Sequence, residues 1–506
     1  MMTRRTFLAT GSAAALRPAS RPNLLLIVAD QFRGDCLGAD GNRAVRTPHL
    51  DRLAAEGVRF RCAYSSTPTC TPARAGLLTG MSPWRHGMLG YSRVAEKYAV
   101  EMPRLLREAG YQTLGIGKMH WHPQRNLHGF HQTILDEQDI RETSDFRSDY
   151  HGWFYSQAPG LDPNATGLDW NGYEARPFAL PEPLHPTNWT AQTAVRFIES
   201  YREPAPFFLK VSFVRPHSPY DPAPRFWKLY DDADLPPAVV GGWAARYAPR
   251  SDGGRAIWHG DLGPAAVRTA RQGYYGAVSH VDDQIGLILE ALEKRRWLEE
   301  TLILFTADHG DMTGDHNLWR KSYAYEPSAR IPMLIRWPSG LLSAPRGQVL
   351  SQPVELRDVL PALLDAASAP VPAQVDGSSL LSLVRGNRSG WREFIDLEHD
   401  VCYHPSNHWN ALTDGRFKYI YHALDGAQQL FDLERDPHET RDLASDPAYG
   451  STLRLWRQRL VNHFAERGEP FLRNGDLQPR PERQLHSPNY PGTAEDECRR
   501  HIGAAE

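Results

Sequence analysis

The sequence predicts an α/β fold, with a large, mixed, mostly parallel sheet sandwiched by helices and a small C-terminal α+β domain with an antiparallel sheet. Three observations point there. Short apolar runs fit for buried strands alternate with helical stretches along the first three quarters of the chain. Several of those runs end in acidic, basic or imidazole side chains. After about residue 375 the texture changes to closely spaced strand-like segments separated by Asp-Gly turns.

Each element has a local reason. "NLLLIVAD" (residues 23–30) is an apolar run suited to a strand covered on both faces. In "TPHLDRLAAEGVRF", Thr47 is placed to cap a helix, Pro48 to open it and Gly57 to close it before another apolar run. "MPRLLREAGYQTLGIGKMH" repeats this grammar, with a helix to Ala109, a stop at Gly110 and a strand leading into Lys118. "NWTAQTAVRFIESYREPAPFFLKVSF" reads as helix, Pro-containing turn and strand, and the segment up to "LILFTADHG" as a longer helix and a buried strand. The strand ends carry Asp30, Lys118 with His120, His217, and Asp308 with His309. Ligands of open α/β sheets sit beyond the carboxyl ends of strands, so these groups are expected on one edge. Further on, Asp414-Gly415 and Asp425-Gly426 mark hairpins, and "SDPAYGSTLRLWRQRLVNHFAERG" a helix.

The 506 residues suit one large and one smaller domain, divided here as 22–375 and 376–470, with a tail at 471–506. A net charge of −3 argues against a surface that coats nucleic acid, so anion binding must be a local arrangement of basic groups. Five cysteines without a CxxC pair make no disulfide framework and no thiolate zinc site. Residues 1–21, "MMTRRTFLATGSAAALRPASR", pair Arg4-Arg5 with a short Ala-rich run and read as a twin-arginine export signal, which implies a periplasmic or secreted protein. No later run approaches the roughly 18 apolar residues needed to span a bilayer.

Cys70 stands out in "SSTPTCTPARAGLLTG" (65–80) because its neighbours are turn formers. Pro72 suits the first turn of a helix that Gly80 stops, which places the sulfur at a helix N-terminus, where an anion is favoured. Either the thiol is reactive there or Cys70 is the precursor of another group.

Cys70-Thr71-Pro72-Ala73-Arg74 fits the Cys-x-Pro-Ser/Ala-Arg signature of the type I sulfatases, and the chain resembles that family from about residue 22 to 470. The family order continues through Asp30, "GKMHW", "RPHSPY", "TADHGDMTGDH", the lysine of "LWRKSYAYE" and the C-terminal "LTDGRFKYI". The resemblance implies an alkaline phosphatase-like fold and a sulfuric ester hydrolase. It also implies that a maturation enzyme oxidises Cys70 to formylglycine, whose hydrate is the nucleophile. Its second hydroxyl then collapses to the aldehyde and releases sulfate. By the same resemblance Lys118 contacts sulfate oxygens, His120 takes a proton from that hydroxyl, His217 protonates the leaving oxygen and Lys321 binds sulfate beside it. Arg74, one helical turn past Cys70, would orient the hydrate.

The chemistry asks for the same division of labour: a divalent cation, fixed donors, an activated nucleophile and an acid. Asp30, Asp308, His309 and the matured Cys70 are the expected metal ligands, for Ca²⁺ with Mg²⁺ or Mn²⁺ as alternatives. Where many sulfatases have Asp-Asp, this chain has Asp30-Gln31, and Gln31 either offers a neutral oxygen to the metal or hydrogen-bonds a ligand. With His309, that substitution leans toward the choline-sulfatase and phosphonate-monoester-hydrolase side of the family. In "LEHDVCYHPSNHWN", Pro405 opposes the helix that a zinc-binding His404-x-x-x-His408 pair would need. His399, His404, Asn407 and His408 are instead expected on a loop that touches the alcohol half of the substrate. Two other readings stay open: hydrolysis of phosphonate monoesters or phosphodiesters at the same site, and a non-catalytic binder of anionic glycans that keeps the Cys70 thiol.

Overall fold

The computed structural model describes residues 21–137, 146–251 and 257–492. The expected export signal, apart from Arg21, and the last fourteen residues of the tail lie outside the described residues. The large sheet contains β1 (Asn23–Asp30), β2 (Val58–Phe60), β3 (Gln112–Gly117), β4 (Gln132–Leu135), β5 (Phe207–Pro216), β6 (Thr301–Ala307), β7 (Met333–Arg336) and β8 (Gln348–Leu350). Their spatial order is β4-β3-β5-β1-β6-β7-β2-β8. The first five run parallel, and β7 alone opposes its neighbours β6 and β2. The sheet is thus mixed and mostly parallel, as the alternation of elements predicts.

β1 lies at the centre, between β5 and β6, and Leu24 to Asp30 are buried. That explains an unbroken apolar run in place of an alternating one. Helices α1 (Pro48–Ala55), α2 (Cys70–Thr79), α3 (Met102–Glu108), α4 (Pro186–Ser200) and the 32-residue α5 (Gly263–Lys294) cover the sheet. The Thr47 side chain does not cap α1. Its hydroxyl accepts from the Gly38 N–H and donates to Asp51 instead. α2 begins at Cys70 and ends at Gly80, which has φ 67° in the left-handed region.

Register brings the functional ends together. Ala29 pairs with Ala307 and Asp30 with Pro216, while Gly117 pairs with Ser212. Asp30, His217, Asp308 and Lys118 therefore leave the sheet side by side at one edge.

The antiparallel sheet is formed by β9 (Ile395–His399), β10 (Trp409–Thr413), β11 (Phe417–His422) and β12 (Gln428–Asp432). Gly415 and Gly426, at φ 86° and 78°, make its two turns. One side packs on Tyr64, Tyr323 and Tyr325 of the large domain. The other side packs on Trp456, Leu460 and Phe464, which come from α6 (Gly450–His463) and its end. Two segments cross the expected divisions. Leu380–Val384 joins the large core, and Phe471 and Leu477 of the tail join the small one. Beyond them the tail wraps back, and Leu89 donates to Leu485 O at 2.8 Å. A Cβ at Gly87 (φ 91°) would lie 2.2 Å from Tyr490 Cα, so only glycine lets the tail sit there.

Candidate active site

Five segments converge on the Cys70 sulfur. Thr69 is extended and Cys70 is the first helical residue of α2, so Sγ projects from the helix start toward the sheet edge. Sγ lies 3.2 Å from His309 Nε2, 3.2 Å from Lys321 Nζ, 3.8 Å from Asp30 Oδ1 and 3.9 Å from Lys118 Nζ. Burial and the Asp30 carboxylate oppose ionisation of the thiol, but Lys118, Lys321 and His309 bring it down to about 6. This is the electropositive end expected of an anion-binding helix start.

Asp30, Cys70, Asp308 and His309 offer donor atoms that all lie within 4.8 Å of one another, and all four residues are buried. His309 Nδ1 donates to Gly310 O at 2.9 Å, which turns the Nε2 lone pair toward Asp30 Oδ1 (3.6 Å) and Asp308 Oδ1 (3.7 Å). Asp308 and Cys70 raise the His309 pKa against the effect of its burial. Two carboxylates with one imidazole oriented from behind are a donor set that fits a hard divalent cation.

Arg74 serves these carboxylates directly. Its side chain is fully buried, with Nε 2.9 Å from Asp308 Oδ2 and Nη2 3.4 Å from Asp30 Oδ2. Nη1 donates to Lys118 O (2.6 Å) and Ser212 Oγ (3.1 Å). Expected to orient the group on Cys70, the guanidinium instead bonds the two acids, the Lys118 carbonyl and Ser212 of β5, because its planar fork matches two carboxylates. Lys118 Nζ forms an ion pair with Asp30. Burial disfavours charge on Asp30, yet Lys118, His217, Arg74 and His309 hold it well below the usual carboxylate range.

His217 stacks on Trp170, with ring centroids 4.7 Å apart. Its Nδ1 faces Ser218 O at 2.7 Å and must donate there, so Nε2 accepts from Lys321 Nζ at 2.8 Å. Burial and the Lys321 charge keep this imidazole neutral, with its pKa well below the ordinary value.

Gln31 takes a left-handed conformation (φ 67°), and its N–H donates to Asp308 Oδ1 at 3.0 Å. Among the described residues its side chain bonds Lys321 and Asp311, not the carboxylates expected to hold the metal. Oε1 accepts from Lys321 Nζ at 3.1 Å and Nε2 donates to Asp311. Gln31 therefore ties Lys321 to the end of β1.

The strand leading into Lys118 does not continue to His120. β3 ends at Gly117, and His120 is left-handed at φ 57°. The turn is held by buried Glu137, whose Oε1 accepts the N–H groups of Met119 (2.9 Å) and His120 (3.0 Å). His120 Nε2 lies 3.4 Å from Tyr91 OH, and burial with Lys118 and Arg74 nearby holds its pKa well below normal.

The four residues expected to touch the alcohol scatter. Residues 401–408 form a loop without helix, as Pro405 predicts. His404 is exposed, stacked on Trp258 at 5.5 Å, and His408 Nδ1 turns to Asp400 Oδ1 at 3.7 Å, so the two do not share a metal. Asn407 is buried and lines an aromatic recess with Tyr247 and Trp258. His399, at the end of β9, is buried beside Trp409 with neither ring nitrogen hydrogen-bonded among the described residues. The loop approaches the site through Tyr403, over which the Arg320 guanidinium sits at 4.4 Å.

Sequence reasoning missed Trp170, Glu137 and Asp311. Trp170 also lies under the Lys118 ammonium at 5.4 Å. Asp311 accepts from Gln31 and Tyr220, and its place in "DHGDM" was a readable signal. Nothing local marks Glu137 or Trp170, which sit in stretches that read as ordinary loop.

Comparison with known proteins gives one answer. The sulfatase family profile matches residues 22–369, and the profile of the C-terminal part of N-sulphoglucosamine sulphohydrolase matches residues 314–466. An arylsulfatase of Clostridium perfringens is 39% identical over 471 residues, covering 90% of this chain and 97% of its own. A choline-sulfatase of Rhizobium meliloti is 32% identical, covering 88% and 87%. The crystal structure of phosphonate monoester hydrolase from Agrobacterium radiobacter superposes with a TM-score of 0.75 at 25% identity, covering 91% of this chain and all of that one.

Proposed function

This chain belongs to the sulfatase family and is a sulfuric ester hydrolase. From that premise we propose that it cleaves aryl or carbohydrate sulfate monoesters at Cys70 after a maturation enzyme has converted that residue to formylglycine. The observation that carries this reading is the placement of Lys118 and Lys321 ammonium groups, 3.9 and 3.2 Å from Cys70 Sγ, beside the Asp30, Asp308 and His309 donors. Two cations and a cation site around one helix-start nucleophile suit a tetrahedral anion.

Asp30, Asp308, His309 and the matured residue 70 would hold the divalent ion, Ca²⁺ with Mg²⁺ or Mn²⁺ as alternatives. When bound it polarises the sulfate oxygens and favours the ionised nucleophile. The formylglycine hydrate supplies two hydroxyls on one carbon, one to attack sulfur and one to release sulfate by collapse to the aldehyde. Lys118 and Lys321 bind the oxygens. The hydrogen-bonded Lys321–His217 pair holds the proton for the leaving oxygen. His120, kept neutral by burial, takes the proton of the second hydroxyl, and Glu137 fixes the turn that presents it. Arg74 spaces the two carboxylates.

Export through the twin-arginine-like leader, with a periplasmic or secreted destination, is part of this proposal. No described helix is long and apolar enough to cross a membrane. So is the division into a catalytic domain (22–375), a small C-terminal domain (376–470) and a tail. A purely glycan-binding role does not fit a chain this similar to an arylsulfatase over nine tenths of its length. Hydrolysis of phosphonate monoesters or phosphodiesters stays as a second reading, favoured by the superposition on phosphonate monoester hydrolase. Rates on 4-nitrophenyl sulfate and 4-nitrophenyl phenylphosphonate with one preparation decide between them. Faster sulfate turnover is expected, and turnover of the phosphonate alone would overturn the main reading.

A further inference from the structure

Two short segments meet beside the site. Tyr91 OH lies 3.4 Å from His120 Nε2, and two residues further along both segments Arg93 Nη1 lies 3.4 Å from His122 Nε2. The second pair therefore adjoins the first, next along both segments. A cavity of about 420 Å³ opens there, lined by Arg93, Glu96, Lys97, His122, His486 and Tyr490 among others. By volume it falls within the range of about 300–1,000 Å³ typical of small-ligand sites. The aromatic recess at Tyr247 and Trp258, in contrast, has room for about 10 Å³.

Its walls have a definite chemistry. Among the described lining residues Arg93 and Lys97 bring positive charge and Glu96, which lies 3.8 Å from His122 Nε2, a carboxylate. The far wall is the returning tail. His486 and Tyr490 stack with centroids 3.9 Å apart, His486 Nε2 lies 2.8 Å from Ser92 Oγ, and Tyr490 OH donates to Arg93 O at 2.8 Å. The tail can lie there only because Gly87 has no Cβ. The cavity therefore combines cations with flat ring surface, a pairing suited to an anionic sugar.

We propose that this cavity is a second anion subsite that selects sulfated saccharides carrying another sulfate or carboxylate group beyond the ester cleaved at Cys70. The inference rests on the sulfatase reading and narrows its substrate class. With one anion between Lys118 and Lys321 and the next between Arg93 and Lys97, a polyanionic chain is held at two points. A small aryl sulfate occupies only the first.

Direct titration calorimetry of the matured, full-length enzyme with a heparin-derived tetrasaccharide tests this. Lys97→Gln and Arg93→Gln are compared with wild type, with Lys228→Gln, an exposed lysine outside the cavity, as control. The expected result is about tenfold weaker tetrasaccharide binding in each cavity variant and unchanged binding in the control. Inorganic sulfate binding should move less than twofold, roughly within the scatter of screened surface charges. Equal weakening for both ligands, no weakening in the cavity variants, or no tetrasaccharide binding by wild type would each overturn the subsite. Turnover of 4-nitrophenyl sulfate by the same wild-type preparation reports separately on the sulfatase reading, so the two ideas fail independently.

Discussion

Lys321 and His217 are joined by a 2.8 Å hydrogen bond whose direction is set at the far side of the imidazole. Because Nδ1 must donate to Ser218 O, Nε2 is the acceptor and the lysine the donor. In the proposed mechanism the proton of this pair passes to the leaving oxygen. Gln31 Oε1 and Cys70 Sγ, at 3.1 and 3.2 Å, fix the same ammonium between His217 and Cys70.

Loss of the proposed acid should have effects that depend on the leaving group. His217→Gln is expected to slow turnover of alkyl or sugar sulfates by about 10²–10⁴-fold, and of 4-nitrophenyl sulfate, whose phenolate leaves unaided, by much less. Steady-state rates across a series of phenyl sulfates provide the measurement. Equal losses along the series would remove His217 from the acid role.

Cys70→Ser keeps a hydroxyl at the helix start but has no second hydroxyl to expel sulfate. Sustained multiple turnover should vanish, as measured by sulfate release over time. Peptide mass analysis of the wild-type protein is expected to find residue 70 oxidised, and an intact thiol throughout a fully active preparation would contradict the formylglycine route.

Arg74→Ala leaves Asp30 and Asp308 buried without their shared guanidinium. Breaking a buried ion pair from one side costs about 3–5 kcal/mol. Denaturant unfolding of the chelated protein should show a loss of that order. Added Ca²⁺ should restore part of it, since the cation neutralises the same acids. Arg74→Lys should recover little, because one ammonium lacks the fork that reaches both carboxylates.

Glu137→Gln retains an oxygen able to accept from Met119 and His120, whereas Glu137→Leu has none. The glutamine variant should keep kcat within about threefold. The leucine variant should lose kcat by about 10²-fold, with KM little changed, as expected when a proton-accepting group is misplaced. If both variants fall equally while folding normally, the carboxylate has a role other than holding that turn.

Chelation is expected to abolish turnover, and the order in which Ca²⁺, Mg²⁺ and Mn²⁺ restore it identifies the ion. Asp308→Asn should weaken that recovery most, because it removes charge from a residue that also positions Arg74 and Gln31. Metal content by elemental analysis and reactivated rates are the readouts. Full activity in a metal-free preparation would remove the ion from the site.

Much of this architecture is legible in the chain. A buried central strand announces itself as an uninterrupted apolar run, Pro72 and Gly80 bracket α2, and Asp-Gly pairs mark the hairpins of β10 to β12. These are local effects of φ preference and side-chain burial, and they need only a few neighbouring residues. The motif order, from Asp30 through Cys70 to Lys321, also lies open in the sequence.

Tertiary structure decided which atom meets which. Arg74 is one turn from Cys70 in sequence, but parallel strand register brings Asp30 and Asp308 to its fork. Gln31 Oε1 meets Lys321, 290 residues away in the chain, at 3.1 Å. His404 and His408 have metal-like spacing, but the loop turns one outward to Trp258 and the other toward Asp400. Glu137 carries no local signal at all; it matters because the strand before it pairs with the one before Lys118. Sequence determined the elements and their polar ends, because propensity and burial act over short spans. The contacts that make a site were settled by register and packing, which act between residues distant in the chain.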